Sequence, residues 1–495
     1  MGAAEPGRTP GACRTRAGTT ADSPLWPAAV AVAFTVAQLV FVAPGFHLGW
    51  DETVYVSQVS PHLPSAFFSA PRARGISALV APLALLTTST LALRIYLAVL
   101  SGGALFLALW VWRRVRPVPV LALAGVFFAG LWVTQLYGPQ AMPNLWVALG
   151  GLTAVGCFLR ATRDRADRMA LPGLGCALAA IALFRPSDAV WLTLPMAAAA
   201  VLVPHWRRPA LLTVIVLGLA LGGAPWAIEA YTSYGGIAAR LHRSSAIEGG
   251  ITWHIAVGDV LRTMDGGTML CRPCTRTWRH PAASVWWFAL PLAVAGGVFA
   301  AARASRLATA LLPALCALSV AAPYLFLIDY AAPRFLLPAY ALAAVPVADG
   351  ARSLRTSVRP ALRPAATALV VALIAGQTVS QHVILTHAAR VSSAGNGDYA
   401  RIAADLRALG VRPPCLITGR IATPVGYEAR CASGQTSGHN RNTTRAAILT
   451  TARSAPVAVL VRPHHRPPAY ARTWTPHPLP GLRRHHGYRV YLSPR

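Results

Sequence analysis

The chain has 495 residues, of which 55% are hydrophobic and 12% are charged, and its mean hydropathy is +0.48. This charged fraction is about half that of an average soluble domain, and it excludes an intrinsically disordered chain, which needs low hydrophobicity and high charge density. The formal net charge is +29, yet all 45 basic residues are arginines, and many stand in short clusters between apolar runs. Orientation signals of membrane proteins occur at such places, so we interpret the charge as a topology signal rather than as a nucleic-acid-binding surface.

Apolar runs of about 20 residues recur along the chain, and a helix needs this length to cross roughly 30 Å of hydrocarbon. The runs predict an α-helical polytopic membrane protein with about 11 transmembrane helices. The predicted spans lie near residues 24–46, 91–112, 118–137, 144–162, 171–187, 188–204, 210–229, 285–302, 307–327, 335–348 and 365–385. A shorter apolar stretch at 75–88 is expected to lie in the membrane interface.

Short arginine-rich connections, such as 113–116 and 303–306, alternate with connections that hold almost no arginine. Because positive charge collects on the cytoplasmic side, this alternation predicts a multi-pass plasma-membrane protein whose N-terminal tail, residues 1–23, is cytoplasmic. The membrane domain is predicted over 24–385. An odd number of spans then places three segments outside the cytoplasm: the loops 47–90 and 230–283, and the tail 386–495.

The tail has the pattern of a small extracytoplasmic α/β domain, because helical segments alternate with short apolar strands. The pattern predicts helices near 398–409 and 443–453, and strands near 415–418, 457–461 and 488–492.

The cysteines divide by their predicted surroundings. Two pairs fall in segments predicted to lie outside the cytoplasm, where disulfides persist. Cys415 and Cys431 are expected to form a disulfide, whereas the C-x-x-C of Cys271 and Cys274 leaves a disulfide, free thiols and a shared metal site open. The cysteines inside apolar runs are expected to be small buried side chains: Cys157, Cys176 and Cys316.

Two adjacent carboxylates, Asp51 and Glu52, stand directly after the first predicted span, with no basic residue beside them. Carboxylates crowded near lipid have raised pKa values and tend to serve a function. The chain has only 16 acidic residues. We therefore interpret the pair as part of a site, against the alternative of two solvated loop acids.

Further charged residues stand at the predicted outer ends of spans. The acids are Asp188, Glu229 and Asp329, and Arg185 and Arg334 lie at the same level. An arginine at membrane depth needs an anion, and its planar fork suits a phosphate. The alternatives are a salt bridge from Arg185 to Asp188 and interfacial snorkelling for Arg334.

The order of these features resembles that of GT-C membrane glycosyltransferases, whose relatives include protein O-mannosyltransferases and lipid A aminoarabinose transferases. The Asp51–Glu52 pair and the interfacial stretch behind it are similar to the first outer loop of this superfamily. The segment 329–340 (DYAAPRFLLPAY) resembles its late R-[YF]-x-x-P span, and 184–188 (FRPSD) resembles its mid-chain Arg-Pro-acid segment. The segment 409–420 looks like the tails of actinobacterial members, and the resemblance covers the organisation of residues 24–385.

The resemblance implies an inverting glycosyltransferase that moves a sugar from a polyprenyl-phosphate donor to a cell-envelope glycan, lipid or protein. Asp51 would then be the general base on the acceptor hydroxyl, and Glu52 would orient the acceptor or share the proton, so both are expected to be catalytic. The residues expected to bind substrate are Arg334, Arg185, Asp188, Tyr55 and Asp329, the arginines stabilising the leaving phosphate. His47 and His62 are further candidates for bonds to sugar hydroxyls. Some superfamily members use a divalent metal, but two adjacent acids alone do not make a metal site, so no cofactor is assigned.

Two other functions compete with this interpretation. A lipid or sugar transporter, or a flippase, would place its polar groups near the membrane midplane. Here they gather at one membrane face, which favours chemistry at that surface. A non-catalytic membrane scaffold is the second alternative.

Overall fold

The computed structural model of the protein describes residues 23–494, so the predicted cytoplasmic tail lies outside the described residues except for Ser23. The helices of the first part of the chain are α1 (Leu25–Phe41), α2 (Trp50–Ser57), α3 (Gly75–Ala84), α4 (Thr90–Val111), α5 (Val118–Ala129), α6 (Trp132–Tyr137), α7 (Pro143–Arg163), α8 (Ala170–Phe184) and α9 (Pro186–Leu202). They are followed by α10 (Pro209–Ser233), α11 (Ile237–Ile247), α12 (Val257–Leu261), α13 (Val285–Arg303), α14 (Ala308–Phe326), α15 (Leu337–Ser357) and α16 (Arg363–Ala408).

The prediction of a helical polytopic membrane protein is confirmed. Within residues 23–494, six helices are long and apolar enough to cross a membrane, namely α4, α7, α10, α13, α14 and α16. Shorter apolar helices lie beside them: α1, α3, α5, α8 and α9. Every predicted run coincides with a helix or a pair of helices, whereas the number of 11 spans stays a prediction.

Two breaks in the helical runs have local causes. Proline disfavours helical geometry in the residue before it. Arg185 accordingly adopts an extended conformation, and α9 begins at Pro186. The predicted run 118–137 is divided into α5 and α6, because the chain leaves helical geometry at Leu131.

Close helix packing in the bundle depends on glycine, as is usual between membrane helices. A Cβ atom on Gly222 of α10 would lie 2.0 Å from the carbonyl oxygen of Ala179 in α8. A Cβ atom on Gly297 of α13 would clash in the same way with the backbone of Pro346 in α15. Any larger residue at either position would push the two helices apart.

The C-terminal domain is a mixed five-stranded sheet with two helices, which confirms the predicted α/β domain. Its strands are β1 (Leu416–Gly419), β2 (Ala432–Gly434), β3 (Val457–Val461), β4 (Thr475–Pro478) and β5 (Arg489–Leu492), in the order β2-β1-β3-β5-β4. β1 runs parallel to β2 and β3, and β5 runs antiparallel to β3 and β4. The helices are α17 (Ala422–Ala429) and α18 (Arg445–Ala452).

The helix predicted at 398–409 is the end of α16 rather than a separate element, because α16 runs without a break from the bundle into the domain. The predicted domain boundary at residue 386 falls inside this helix and stays a prediction. α16 also holds the segment before α2. Asn396 donates a hydrogen bond to the carbonyl oxygen of His47 at 3.0 Å, and Ser393 donates to that of Gly45 at 2.9 Å.

The disulfide expected between Cys415 and Cys431 is present, and Cys271 and Cys274, for which three alternatives were open, also form a disulfide. Cys415–Cys431 joins the residues that precede β1 and β2, and Cys271–Cys274 closes a short loop, so a disulfide is the form of the C-x-x-C that the structure shows. Of the cysteines in apolar runs, Cys157 and Cys316 are buried as expected, whereas Cys176 is exposed on the surface of α8.

Candidate active site

A cavity of about 1030 Å³ lies where the helical bundle meets the sheet domain. The bundle contributes Asp51, Tyr55, Arg72, Arg185 and Arg334 to its lining, and the domain contributes the ends of β1 and β3 and the loop after β2. Four of the residues predicted to form the site are therefore brought together with Arg72, which the sequence did not single out.

The Asp51 carboxylate lies between two arginines. One of its oxygens accepts a hydrogen bond from Arg72 at 2.8 Å and the other accepts from Arg334 at 3.2 Å. Its side chain is 32% exposed, so solvent and ligands in the cavity can reach it. Burial by itself raises the pKa of Asp51, but the charges of Arg72 and Arg334 hold that pKa below its usual range. Asp51 is thus an ionised, accessible carboxylate at neutral pH.

Arg72 is held in place by neighbours on both sides. Its Nε donates to the hydroxyl of Ser69 at 3.1 Å, and its guanidinium lies 5.3 Å from the centre of the Tyr55 ring. Tyr55 is buried and lines the cavity, and its role in substrate binding stays a prediction.

A half-buried acid supports the loop that carries Arg72. Glu229, at the end of α10, accepts hydrogen bonds from Arg74 and, at 2.9 Å, from Arg240. Arg240 is fully buried and also donates to the carbonyl oxygens of Ala70 and Arg72, each at 3.0 Å. This network fixes the backbone at Arg72.

Arg334 lies inside the protein rather than at a lipid surface. Its side chain is 11% exposed, and besides Asp51 it donates to the carbonyl oxygen of Met269 at 3.2 Å. The guanidinium lies 5.2 Å from the ring centre of Phe335. The alternative of interfacial snorkelling does not match this position, because the charged end lies at the wall of the cavity beside Asp51.

Arg185 makes the salt bridge considered in the sequence and also lines the cavity. Its Nε lies 3.0 Å from an oxygen of Asp188, and it donates to the hydroxyl of Tyr324 at 2.8 Å. Asp188 is 2% exposed and does not line the cavity. The position of Asp188 is therefore that of a group that orients Arg185, not of a group that touches substrate.

Glu52 points away from the cavity. It is 1% exposed, and it accepts hydrogen bonds from the backbone N–H groups of Gly49 at 2.9 Å and Ala141 at 2.7 Å. Both of its oxygens also bind the guanidinium of Arg94. The expectation that Glu52 stands beside Asp51 in the site does not match this geometry, because consecutive residues of α2 point to different sides of the helix.

Arg94 links this buried carboxylate to the surrounding loops. It is fully buried and donates to the carbonyl oxygens of Phe46 and His47 at 3.0 Å each, and of Pro139 at 2.8 Å. Arg94 gave no signal in the sequence, because it stands within an apolar run, 42 residues from its partner Glu52.

Asp329 does not reach the cavity. It is exposed, and its carboxylate lies against Gly249, where a Cβ atom would be 2.4 Å from the carboxylate oxygen. His47 and His62 do not line the cavity either. The expected contacts of these residues with substrate are not supported by their positions.

Glu248 is a second carboxylate in the cavity that the sequence did not point out. Burial raises the pKa of Glu248, although the charge of Arg185 opposes the shift. The cavity thus holds two carboxylates with opposite pKa shifts, an arrangement typical of sites that move protons. Among residues 23–494, no three His, Cys, Asp or Glu side chains converge in a way that could hold a metal ion, so no ligand set is assigned.

The comparisons with known proteins establish the fold. No family model matches the chain, and no curated protein sequence matches it. ArnT from Cupriavidus metallidurans bound to undecaprenyl phosphate superposes with a TM-score of 0.69 at 11% identity, over 95% of this chain and 98% of that chain. ArnT in the apo state superposes with a TM-score of 0.64 at 12% identity, over 95% and 97%. The oligosaccharyltransferase of Archaeoglobus fulgidus, in a complex with zinc and sulfate, gives 0.52 at 13% identity, over 87% and 67%. At these identities the likeness concerns the fold alone, and it shows that the chain has an ArnT-like fold.

Proposed function

We propose that the protein is an inverting glycosyltransferase that moves a sugar from a polyprenyl-phosphate donor to an acceptor outside the cytoplasm. The observation that carries the proposal is the Asp51 carboxylate, reachable in the cavity and held by Arg72 and Arg334. The ArnT-like fold supports the donor class, because ArnT itself is known in a complex with undecaprenyl phosphate.

The arginines fit the leaving group of this reaction. As the bond between the sugar and the phosphate breaks, negative charge grows on the phosphate oxygen, and preorganised donors aimed at that charge lower the barrier. Arg334 and Arg72 would supply these donors, and Arg185 is a third guanidinium that lines the same cavity. The phosphate would share the two arginines that now hold Asp51.

Asp51 would act as the general base. The acceptor hydroxyl oxygen attacks the anomeric carbon, the carbon–oxygen bond to the phosphate breaks with its electron pair on the phosphate, and the hydroxyl proton passes to Asp51. A general base that takes the hydroxyl proton in a single displacement fits inversion without a covalent intermediate. A bound phosphate would also draw part of the arginine charge away from Asp51, which makes the carboxylate a stronger base when the donor is present.

Glu52 would serve as a positioning residue through its bonds with Arg94. Membrane orientation follows from the arginine distribution, with the N-terminal tail cytoplasmic, and the loops 47–90 and 230–283 and the domain 386–495 outside. The acceptor would be a glycan, lipid or protein of the cell envelope.

The test is sugar transfer by the purified protein in lipid, with a panel of decaprenyl-phosphate sugars and the host envelope extract as the source of acceptor. Asp51→Asn should abolish transfer, whereas Asp329→Asn, an exposed acid outside the cavity, should retain it. Transfer that survives Asp51→Asn but is lost in Glu248→Gln would assign the base to Glu248. Donor translocation across the bilayer without transfer would replace the transferase by a flippase.

A further inference from the structure

The carboxyl ends of three parallel strands of the sheet domain open into the cavity. β1 ends at Gly419, β2 at Gly434 and β3 at Val461, and β1 is parallel to both neighbours, so the three ends share one edge. Open α/β sheets bind their ligands outside this edge. The residues that directly follow the strands line the cavity: Arg420, Gln435 and Arg462.

The arginines on this edge are not neutralised by the protein. The side chains of Arg420 and Arg466 have no hydrogen-bond or ion-pair partner among residues 23–494, and that of Arg462 bonds to Tyr488, which is neutral. No carboxylate stands among the domain residues that line the cavity within the described chain.

The bundle side of the cavity differs in this respect. There, Arg72 and Arg334 share Asp51, and Arg185 is paired with Asp188. A single donor phosphate at these arginines would leave the positive charge of the domain edge unpaired. Guanidinium groups bind phosphates and carboxylates through paired hydrogen bonds, so the domain edge suits a second anion.

The loop after β2 adds polar groups that suit a sugar. Gln435, Thr436, Ser437, His439 and Asn440 all line the cavity and offer amide, hydroxyl and imidazole groups. The edge of the domain therefore combines free guanidinium groups with hydrogen-bonding side chains, and its chemistry fits a polar, negatively charged ligand.

We propose that Arg420, Arg462 and Arg466 form an acceptor subsite for an anionic sugar, one that carries a phosphate or a carboxylate besides the hydroxyl that is glycosylated. This assignment rests on the proposed function, because the acceptor must enter the cavity opposite the donor. The bundle arginines then hold the donor phosphate, and the domain arginines hold the anion of the acceptor.

The subsite is tested by the binding of small probes to the full-length protein in lipid nanodiscs. Glucose 6-phosphate and glucuronate are the anionic probes, glucose is the uncharged control, and undecaprenyl phosphate reports the donor site. The variant is Arg420→Gln combined with Arg466→Gln. Its matched control is Arg412→Gln combined with Arg453→Gln, two exposed arginines of the same domain outside the cavity, so that both proteins lose the same charge.

We expect saturable binding of glucose 6-phosphate that glucose does not displace. It should weaken about tenfold or more in the subsite variant, the scale for losing charge-assisted hydrogen bonds, and stay unchanged in the control variant. Undecaprenyl phosphate should bind equally to all of these proteins.

Two outcomes would overturn the subsite. Glucose 6-phosphate binding that is equal in both double variants would exclude a role for these arginines. Binding that undecaprenyl phosphate displaces, and that Arg334→Gln abolishes, would place the probe at the donor arginines and leave the proposed function intact. By contrast, a protein that binds glucose 6-phosphate at the domain edge but neither binds undecaprenyl phosphate nor transfers sugar would refute the proposed function, and with it the acceptor role.

Discussion

The carboxylate of Asp51 accepts a hydrogen bond from Arg334 at 3.2 Å, although 283 residues separate the two in the chain. This contact places the proposed base and a proposed phosphate ligand in one cluster before any substrate arrives. Donor binding and proton acceptance would therefore be coupled, because a phosphate that shares the guanidinium changes the charge around Asp51.

Replacement of Arg334 by lysine should weaken the use of donor. Lysine keeps the charge but loses the planar fork, which can bind a carboxylate and a phosphate together. We expect the donor KM to rise about tenfold or more, with a smaller effect on the acceptor KM, measured by steady-state transfer. Arg355→Lys, an exposed arginine near the end of α15, is the matched control. An unchanged donor KM and kcat in Arg334→Lys would remove Arg334 from donor binding.

Glu52→Gln should destabilise the protein, whereas Asp51→Asn should not. Removal of the Glu52 charge leaves the guanidinium of Arg94 buried and uncompensated, and breaking such a pair costs about 3–5 kcal/mol. Asp51 is partly exposed, and its loss leaves two arginines that solvent in the cavity can reach. The measurement is thermal unfolding in lipid, followed by tryptophan fluorescence. Equal unfolding temperatures for Glu52→Gln and wild type would show that the Glu52–Arg94 ion pair does not stabilise the fold.

Part of this site was predictable from the sequence. Asp51, Arg185 and Arg334 stand out because they are charged residues at the ends of long apolar runs. Arg72 and Arg94 do not stand out, since each is one of 45 arginines in the sequence. Their roles depend on Asp51 and Glu52, which only the fold brings next to them. Adjacency in the sequence also made Glu52 look equivalent to Asp51, whereas the helix turns the two side chains in different directions.

The fold was predictable to a similar extent. Long apolar runs predicted the bundle, and short apolar segments between helical segments predicted most of the sheet, because buried helices and strands need apolar residues at these spacings. β2 and β4 were not predicted, since Ala432–Gly434 and Thr475–Pro478 are too short and too polar to show the apolar pattern of a strand. The sheet edge lines the cavity because of the way the domain packs on the bundle. Local sequence patterns do not predict this packing.

The pH dependence of transfer should reveal the coupling between the donor and Asp51. In the free protein the pKa of Asp51 lies below its usual range, so the base is present above that pKa and is lost as the pH falls through it. A bound phosphate should raise this pKa. Since kcat/KM reports the free protein and kcat the complex, we expect the acidic limb of kcat at a higher pH than that of kcat/KM. Unfolding must be followed at each pH as a control, and acidic limbs that coincide would exclude the coupling.

Asp398→Asn should release the segment that precedes β5. The Asp398 carboxylate, in the C-terminal part of α16, accepts hydrogen bonds from the backbone N–H groups of Arg483, Arg484 and His485 at 2.7–3.0 Å. An amide oxygen is a weaker acceptor than a carboxylate, so trypsin should cleave after the two arginines several-fold faster in the variant. Asp405→Asn is the control, because this acid lies on the same helix and one of its oxygens is buried without a hydrogen-bond partner among the described residues. Cleavage accelerated equally in both variants would mean that α16 as a whole had been loosened, and would contradict a specific role for Asp398.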